Sequence, residues 1–166
     1  MKKGLIKVCL LFGLMACTPE KEAFNAEALA EPLTDLAGTK TTFEEVLKSN
    51  TGNVVIVDVW ASWCPDCVKG MPKFKQLQAD FPEVKYVFLS YDKDVESWKK
   101  GIEKYQIEGN HYLISSDWKG GGFKSAADID WIPRYILIDK EGKIALYRVI
   151  EADDEKLIAT LKTITQ

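Results

Sequence analysis

From Val54 to Val59 the chain reads Val-Val-Ile-Val-Asp-Val, apolar at every position but one and nearly all β-branched. Such a run predicts a central strand over 54–59, buried on both faces. Downstream, Val68, Met71, Phe74, Leu77 and Phe81 recur at helical spacing and predict a helix over about 65–80. Pro72 stands inside that helix and should kink it. Val84 to Ser90 predicts a second buried strand. Asp94 is placed to cap a helix through about Tyr105, and Tyr112-Leu113-Ile114 predicts a short third strand. Gly120-Gly121-Gly122 marks a loop before a short helix near 123–128. Arg134–Asp139 and Lys143–Val149 flank Lys140-Glu141-Gly142, the pattern of an antiparallel hairpin. Leu157, Ile158, Leu161 and Ile164 form the apolar stripe of a terminal helix. Upstream, Thr42 with Glu45 makes a capping box and predicts a helix over 43–49. Strands and helices that alternate and then end in a hairpin predict an α/β fold, a mixed sheet with helices on both faces.

Composition adds exclusions. The 166 residues are 46% hydrophobic and 28% charged, enough for one domain with a core that needs no metal or disulfide staples. Net charge is −3, and setting aside the three lysines of the first sixteen residues takes the remainder to −6. An acidic body without a basic stripe argues against nucleic acid as a partner. With His111 as its one histidine, the chain cannot build a site on several. No internal repeat and no second domain are visible.

The first sixteen residues read as an export signal. Lys2, Lys3 and Lys7 precede a short apolar run from Leu5 to Met15, below the roughly 20 residues a membrane-spanning helix needs. Leu14-Met15-Ala16-Cys17 resembles the lipobox of bacterial lipoproteins, in which the cut falls before the cysteine and the thiol is acylated. The alternative is a plain secretory signal with an incidental cysteine. By the lipoprotein resemblance, residues 17–32 form a lipid-anchored linker, the body spans 33–166 and begins near Leu33, and the protein sits on the periplasmic face of the cell envelope. Thr18 after Cys17 favours the outer membrane by the same analogy. Cys64 and Cys67 then remain as the two thiols of the exported chain, in a compartment where disulfides persist.

A two-residue gap lets those sulfurs meet across one helical turn. Cys64 is expected just before the helix, where unpaired N–H groups and the helix dipole stabilise a thiolate. Pro65 suits the first helical position, since its missing N–H has no intrahelical partner to lose. Cys67, one turn inside, is expected to be more buried and to react second. The spacing also serves metals and structural disulfides. Four-cysteine zinc sites need a second such pair, and haem attachment needs a histidine where Val68 stands.

The stretch Asp58-Val59-Trp60-Ala61-Ser62-Trp63-Cys64-Pro65-Asp66-Cys67 resembles the active-site strand and loop of the thioredoxin superfamily, most closely its exported TlpA/ResA-like thiol–disulfide oxidoreductases. The resemblance covers roughly 33–166. Pro72 matches the kinking proline, Trp131-Ile132-Pro133 the cis-proline loop, and Ile138 to Ile144 the hairpin that follows. It implies a thioredoxin-like fold with a helix–strand insertion at about 94–115. It also implies that Cys64 forms a mixed disulfide with the partner and that Cys67 resolves it. Asp58 matches the buried acid behind the pair, whose pKa burial should raise so that it accepts the Cys67 proton. Pro133 should face the sulfurs in cis and expose the Ile132 backbone to substrate. Trp60 and Trp63 should pack around the site. No cofactor and no metal are implied. The implied partners are disulfides of exported proteins, those of cytochrome c maturation among them, and a membrane thiol reductant that supplies electrons.

Three positions depart from the family's pattern. Asp66 stands between the cysteines, where several relatives carry proline or histidine, and its charge should disfavour the Cys64 thiolate and make the pair more reducing. Ile150 stands where a glycine often follows the last hairpin strand. Arg134 follows Pro133 where small residues are common, and is either a selector of acidic or carbonyl-rich partners or a solvated arginine. His111 is expected at the surface or a strand edge, and Lys99-Lys100 and Asp153-Asp154-Glu155 are expected on solvated helix faces. Two other activities can be weighed. A thiol peroxidase needs a hydroxyl residue where Ala61 stands, and a copper carrier needs a wider cysteine gap with a histidine. A non-catalytic lipoprotein with a structural disulfide is the plainest alternative.

Overall fold

The computed structural model describes residues 21–166. The leader and Cys17 lie outside the described residues. In chain order the elements are α1 (Ala26–Leu29), β1 (Pro32–Asp35), β2 (Lys40–Thr42), α2 (Phe43–Ser49), β3 (Val55–Trp60), α3 (Pro65–Asp80), β4 (Lys85–Ser90), α4 (Val95–Tyr105), β5 (Asn110–Ile114), α5 (Phe123–Ala126), β6 (Arg134–Ile138), β7 (Ile144–Val149) and α6 (Glu155–Ile164). The seven strands form one mixed sheet in the order β2-β1-β5-β4-β3-β6-β7. β3, β4 and β5 run parallel, and every other neighbouring pair is antiparallel. Among the described residues no helix is long and apolar enough to cross a membrane.

All six residues of β3 are buried, because helices cover both faces of the sheet at its centre. The crossovers β3–α3–β4 and β4–α4–β5 step the same way across the sheet, so the usual right-handed connection puts α3 and α4 on one face. Phe74 of α3 touches the rings of Tyr86, Phe88 and Tyr135 on that face. On the other face Phe43 of α2 meets Phe24 and Phe123 edge-on. At Gly101 of α4 a Cβ would fall 2.6 Å from the Ser62 Cβ, so only glycine lets α4 approach the loop before the cysteines this closely.

The Thr42–Glu45 capping box forms in both directions, and α2 has the expected span. Two strands escaped the sequence pattern. β1 and β2 are four and three residues long, too short for alternation to show, and Asp35 closes their turn by accepting from Ala37 N and Thr39 N. β5 begins at Asn110, two residues earlier than expected.

The packed body also starts before Leu33. Phe24 is buried against Phe43 and Tyr147, Ala28 is fully buried, and Ile144 N donates to Glu22 O at 3.0 Å. One aromatic side chain in a polar stretch suffices to anchor it, since burying a ring stabilises by roughly 2–3 kcal/mol. His111, expected at the surface or a strand edge, lies buried in β5 between β1 and β4. Its ring stacks on Phe88, its partner in register, and Nε2–H donates to Ile107 O at 3.1 Å. Burial lowers its pKa and keeps it neutral.

Candidate active site

The chain leaves β3, turns through Ala61-Ser62-Trp63, and enters α3 at Pro65. Cys64 is the N-cap of that helix, with extended backbone at φ −85°, ψ 111°. Its Sγ takes the place of a capping oxygen and accepts from Cys67 N at 3.1 Å. Cys64 and Cys67 form a disulfide with a Cα–Cα distance of 5.3 Å. Both cysteines are buried. In the reduced protein the same N–H and the positive end of the 16-residue helix favour charge on Cys64.

Opposite the sulfurs lies the loop 128–133. The Ile132–Pro133 peptide bond is cis, and the Ile132 carbonyl oxygen stands 3.5 Å from Cys64 Sγ. Trp131 is 54% exposed beside it, while Ile132 is buried. Arg134 at the start of β6 pairs with Asp130, and Arg148 of β7 pairs with both Asp128 and Asp130. Two arginines thus brace the loop that carries the cis proline.

Beneath the helix sits Asp58, 1% exposed in the middle of β3. It is in register with Phe88 of β4 and Tyr135 of β6, both of which meet Phe74 of α3. Its side chain therefore belongs to the face that α3 covers, the helix whose first turn holds Cys67. Neither carboxyl oxygen has a hydrogen-bond partner among the described residues. Loss of water around this acid raises its pKa well above the ordinary carboxylate range.

A second buried acid organises the loop before the cysteines. The Asp92 carboxylate accepts from Ser62 N at 3.1 Å, Ser62 Oγ at 2.6 Å and Ser90 Oγ at 2.8 Å. Trp63 Nε1 donates to Tyr91 O at 3.3 Å. The segment after β4 thereby fixes the loop that presents Cys64.

Residues 52–144 match the family model described as thioredoxin-like. The chain belongs to the thioredoxin-like family. It is 30% identical over 164 residues to the thiol-disulfide oxidoreductase ResA of Bacillus anthracis, a match covering 98% of this chain and 90% of that protein. The crystal structure of the thioredoxin domain of a thiol-disulfide oxidoreductase from Bacteroides vulgatus superposes with a TM-score of 0.68 at 26% identity, covering 87% of this chain and 99% of that one. A thiol:disulfide interchange protein from a Bacteroides species gives 0.67 at 25% identity, over 89% and 91% of the two chains. This thioredoxin-like chain is a thiol–disulfide oxidoreductase, and Cys64–Cys67 is the disulfide it carries.

Against the sequence expectations, the thioredoxin-like fold brings Cys64, Cys67, Pro65, Ile132 and Pro133 together and sets Asp58 on the adjoining face of the sheet. Trp63 lies at the rim, 49% exposed, and Asp66 lies exposed in the first turn of α3. Trp60 is fully buried, its ring 3.4 Å from where a Gly101 Cβ would stand, and is a core residue. Ile150 is exposed. Arg134 is neither solvated nor turned toward a partner: it is 3% exposed and held by Asp130. No motif or periodicity in the sequence marks Asp92. Ser90-Tyr91-Asp92, two polar residues closing a buried strand, was the available signal.

Proposed function

We propose that this oxidoreductase is an exported, lipid-anchored protein-disulfide reductase working through a mixed disulfide. The observation that carries the reading is the Cys64–Cys67 disulfide at the head of α3, facing the Ile132 carbonyl across the cis-proline loop. In the reduced protein the Cys64 thiolate attacks one sulfur of a substrate disulfide. That bond breaks, a Cys64–substrate disulfide forms, and the first substrate thiol leaves. Cys67 gives up its proton, for which Asp58 is the acceptor, and attacks Cys64 Sγ to release the second thiol. Two electrons and two protons pass to the substrate, and the enzyme is left as the disulfide. Pro133 and Ile132 present backbone to the substrate strand, and a membrane thiol reductant restores the dithiol.

The direction of flow follows from Asp66. A carboxylate in the first turn opposes the helix dipole at Cys64, destabilises the thiolate and so favours the oxidised enzyme, which makes the dithiol a good reductant. Asp66→His is expected to raise the reduction potential by about 30 mV or more, a tenfold change for a two-electron couple. A potential that stayed put or fell would remove this reasoning.

For location, the support is the charged and apolar leader with Leu14-Met15-Ala16-Cys17 at its end. Acyl chains on Cys17 would hold the domain to the envelope at about 0.8 kcal/mol per buried methylene. Cys17→Ser should move the protein from the membrane fraction to the soluble one. An unchanged distribution would mean that the lipid anchor is wrong.

A further inference from the structure

A groove of about 920 Å³ opens beside Trp63, and no residue of the cis-proline loop lines it. It runs between the segment after β4, the end of β5 and the β1–β2 hairpin, and no step of the exchange reaction uses it. Its apolar wall is made by Trp63, Tyr91 and Trp118, with Trp118 packed edge-on to Tyr91. Its cations are Lys40, Lys93 and Lys119, all exposed, none of them in an ion pair among the described residues. Lys124 lies over the Trp118 ring at 4.0 Å. Two acids line the groove, the buried Asp92, which accepts from Ser62 and Ser90, and the exposed Asp117, so the three lysines outnumber them by one. On a chain with a net charge of −3, this is a local excess of positive charge around an apolar floor.

We propose that the groove binds the segment flanking the substrate cysteine, and that it selects an acidic segment carrying an aromatic or large apolar side chain. The proposal rests on the disulfide-reductase reading and names its substrate class. Trp63 connects the two places: its ring lines the groove, and the next residue is the attacking Cys64. An extended polypeptide advances about 3.3 Å per residue, so a few residues carry it from Cys64 Sγ across Trp63. The cavity has the size range of ligand pockets that take one large side chain with its neighbours. Opposite charge on rim and substrate would speed encounter and discriminate against basic partners.

The test uses the reduced protein and disulfide-looped peptides whose flank is Glu-Phe-Glu, Gln-Phe-Gln or Lys-Phe-Lys, with reduction followed by stopped-flow fluorescence. The expected result is a kcat/KM preference for the Glu over the Lys flank of about tenfold at low salt, falling as salt screens it. The double variant Lys93→Glu with Lys119→Glu should invert the order. A Glu-Gly-Glu flank should react several-fold more slowly than Glu-Phe-Glu. Equal rates for acidic and basic flanks in the wild type, or an order unaltered in the double variant, would overturn the proposal. Hydroxyethyl disulfide, small and uncharged, separates the two levels of inference. If the wild type reduces it while showing no flank preference, the groove assignment fails alone; if it reduces neither this nor any peptide, the reductase reading fails.

Discussion

Cys64→Ser is expected to stop disulfide exchange, with a loss of about three orders of magnitude or more, whereas Cys67→Ser reacts once and stays bonded to its partner. The two sulfurs differ in placement although both are buried. Cys64 ends the loop, caps α3, accepts from Cys67 N and faces the Ile132 carbonyl. Cys67 lies inside the first turn over the face of the sheet that holds Asp58. A serine hydroxyl at position 64 can cap the helix but cannot carry the exchange, because its alkoxide is inaccessible where a thiolate is not. A serine at 67 should leave attack intact and remove the thiol proposed to resolve the product. Non-reducing electrophoresis and mass spectrometry distinguish the outcomes. A Cys67→Ser variant that captured no partner, or a Cys64→Ser variant that captured one just as well through Cys67, would reverse the assigned order.

Asp58→Asn is expected to make the oxidised protein more stable at neutral and alkaline pH, by about 1.4 kcal/mol for each pH unit passed between the acid's unfolded and folded pKa. The folded chain raises the pKa of this acid above its ordinary value of 3.8 through burial. Between the unfolded and the folded value, the native state therefore holds a proton that the unfolded state has lost. Stability falls as pH rises through that interval, and the full penalty persists above it. Asparagine has nothing to ionise, so this contribution to the pH dependence vanishes and the two proteins converge in stability below about pH 4. Denaturation midpoints of both proteins between pH 3 and 9 check the point. A variant that is less stable than wild type throughout would mean that Asp58 is a satisfied structural acid. If Asp58 also takes the Cys67 proton, the variant resolves mixed disulfides more slowly, and its pH–rate profile loses the corresponding limb.

What was legible in the sequence was whatever is encoded over short range. The β-branched run into Asp58, the Thr42–Glu45 box and the cysteine pair with Pro65 each state their structure within a few residues, whereas the cis peptide at Pro133 was implied by the family resemblance. Asp58 belongs with them, since a lone acid in an otherwise apolar strand has no alternative to burial. The remainder depends on partners far along the chain. Leu33 to Asp35 becomes a strand because β5, some 80 residues later, offers Tyr112–Ile114 as a pairing edge. Phe24 joins the core because Phe43 and Tyr147 leave room for its ring. Arg134 is buried because Asp130, on the other side of the cis-proline, supplies its counter-charge, and spacing alone did not distinguish that pair from a solvated one. Asp92 acts on Ser62 across 30 residues, from the segment that follows the neighbouring parallel strand. Parallel sheets put such contacts beyond any local pattern, and their loops at the ends of the strands build the site.

The most direct test of a reductase is the reduction potential of Cys64–Cys67, measured on the chain with Cys9 and Cys17 replaced by serine. Equilibration in thiol–disulfide buffers can be followed by the fluorescence of Trp63, which is half-exposed and adjacent to Cys64. The expected value lies near that of thioredoxin, about −270 mV, where a dithiol gives electrons to protein disulfides. A value near −120 mV, at the oxidant end of the scale, would contradict the account and make the protein a disulfide donor.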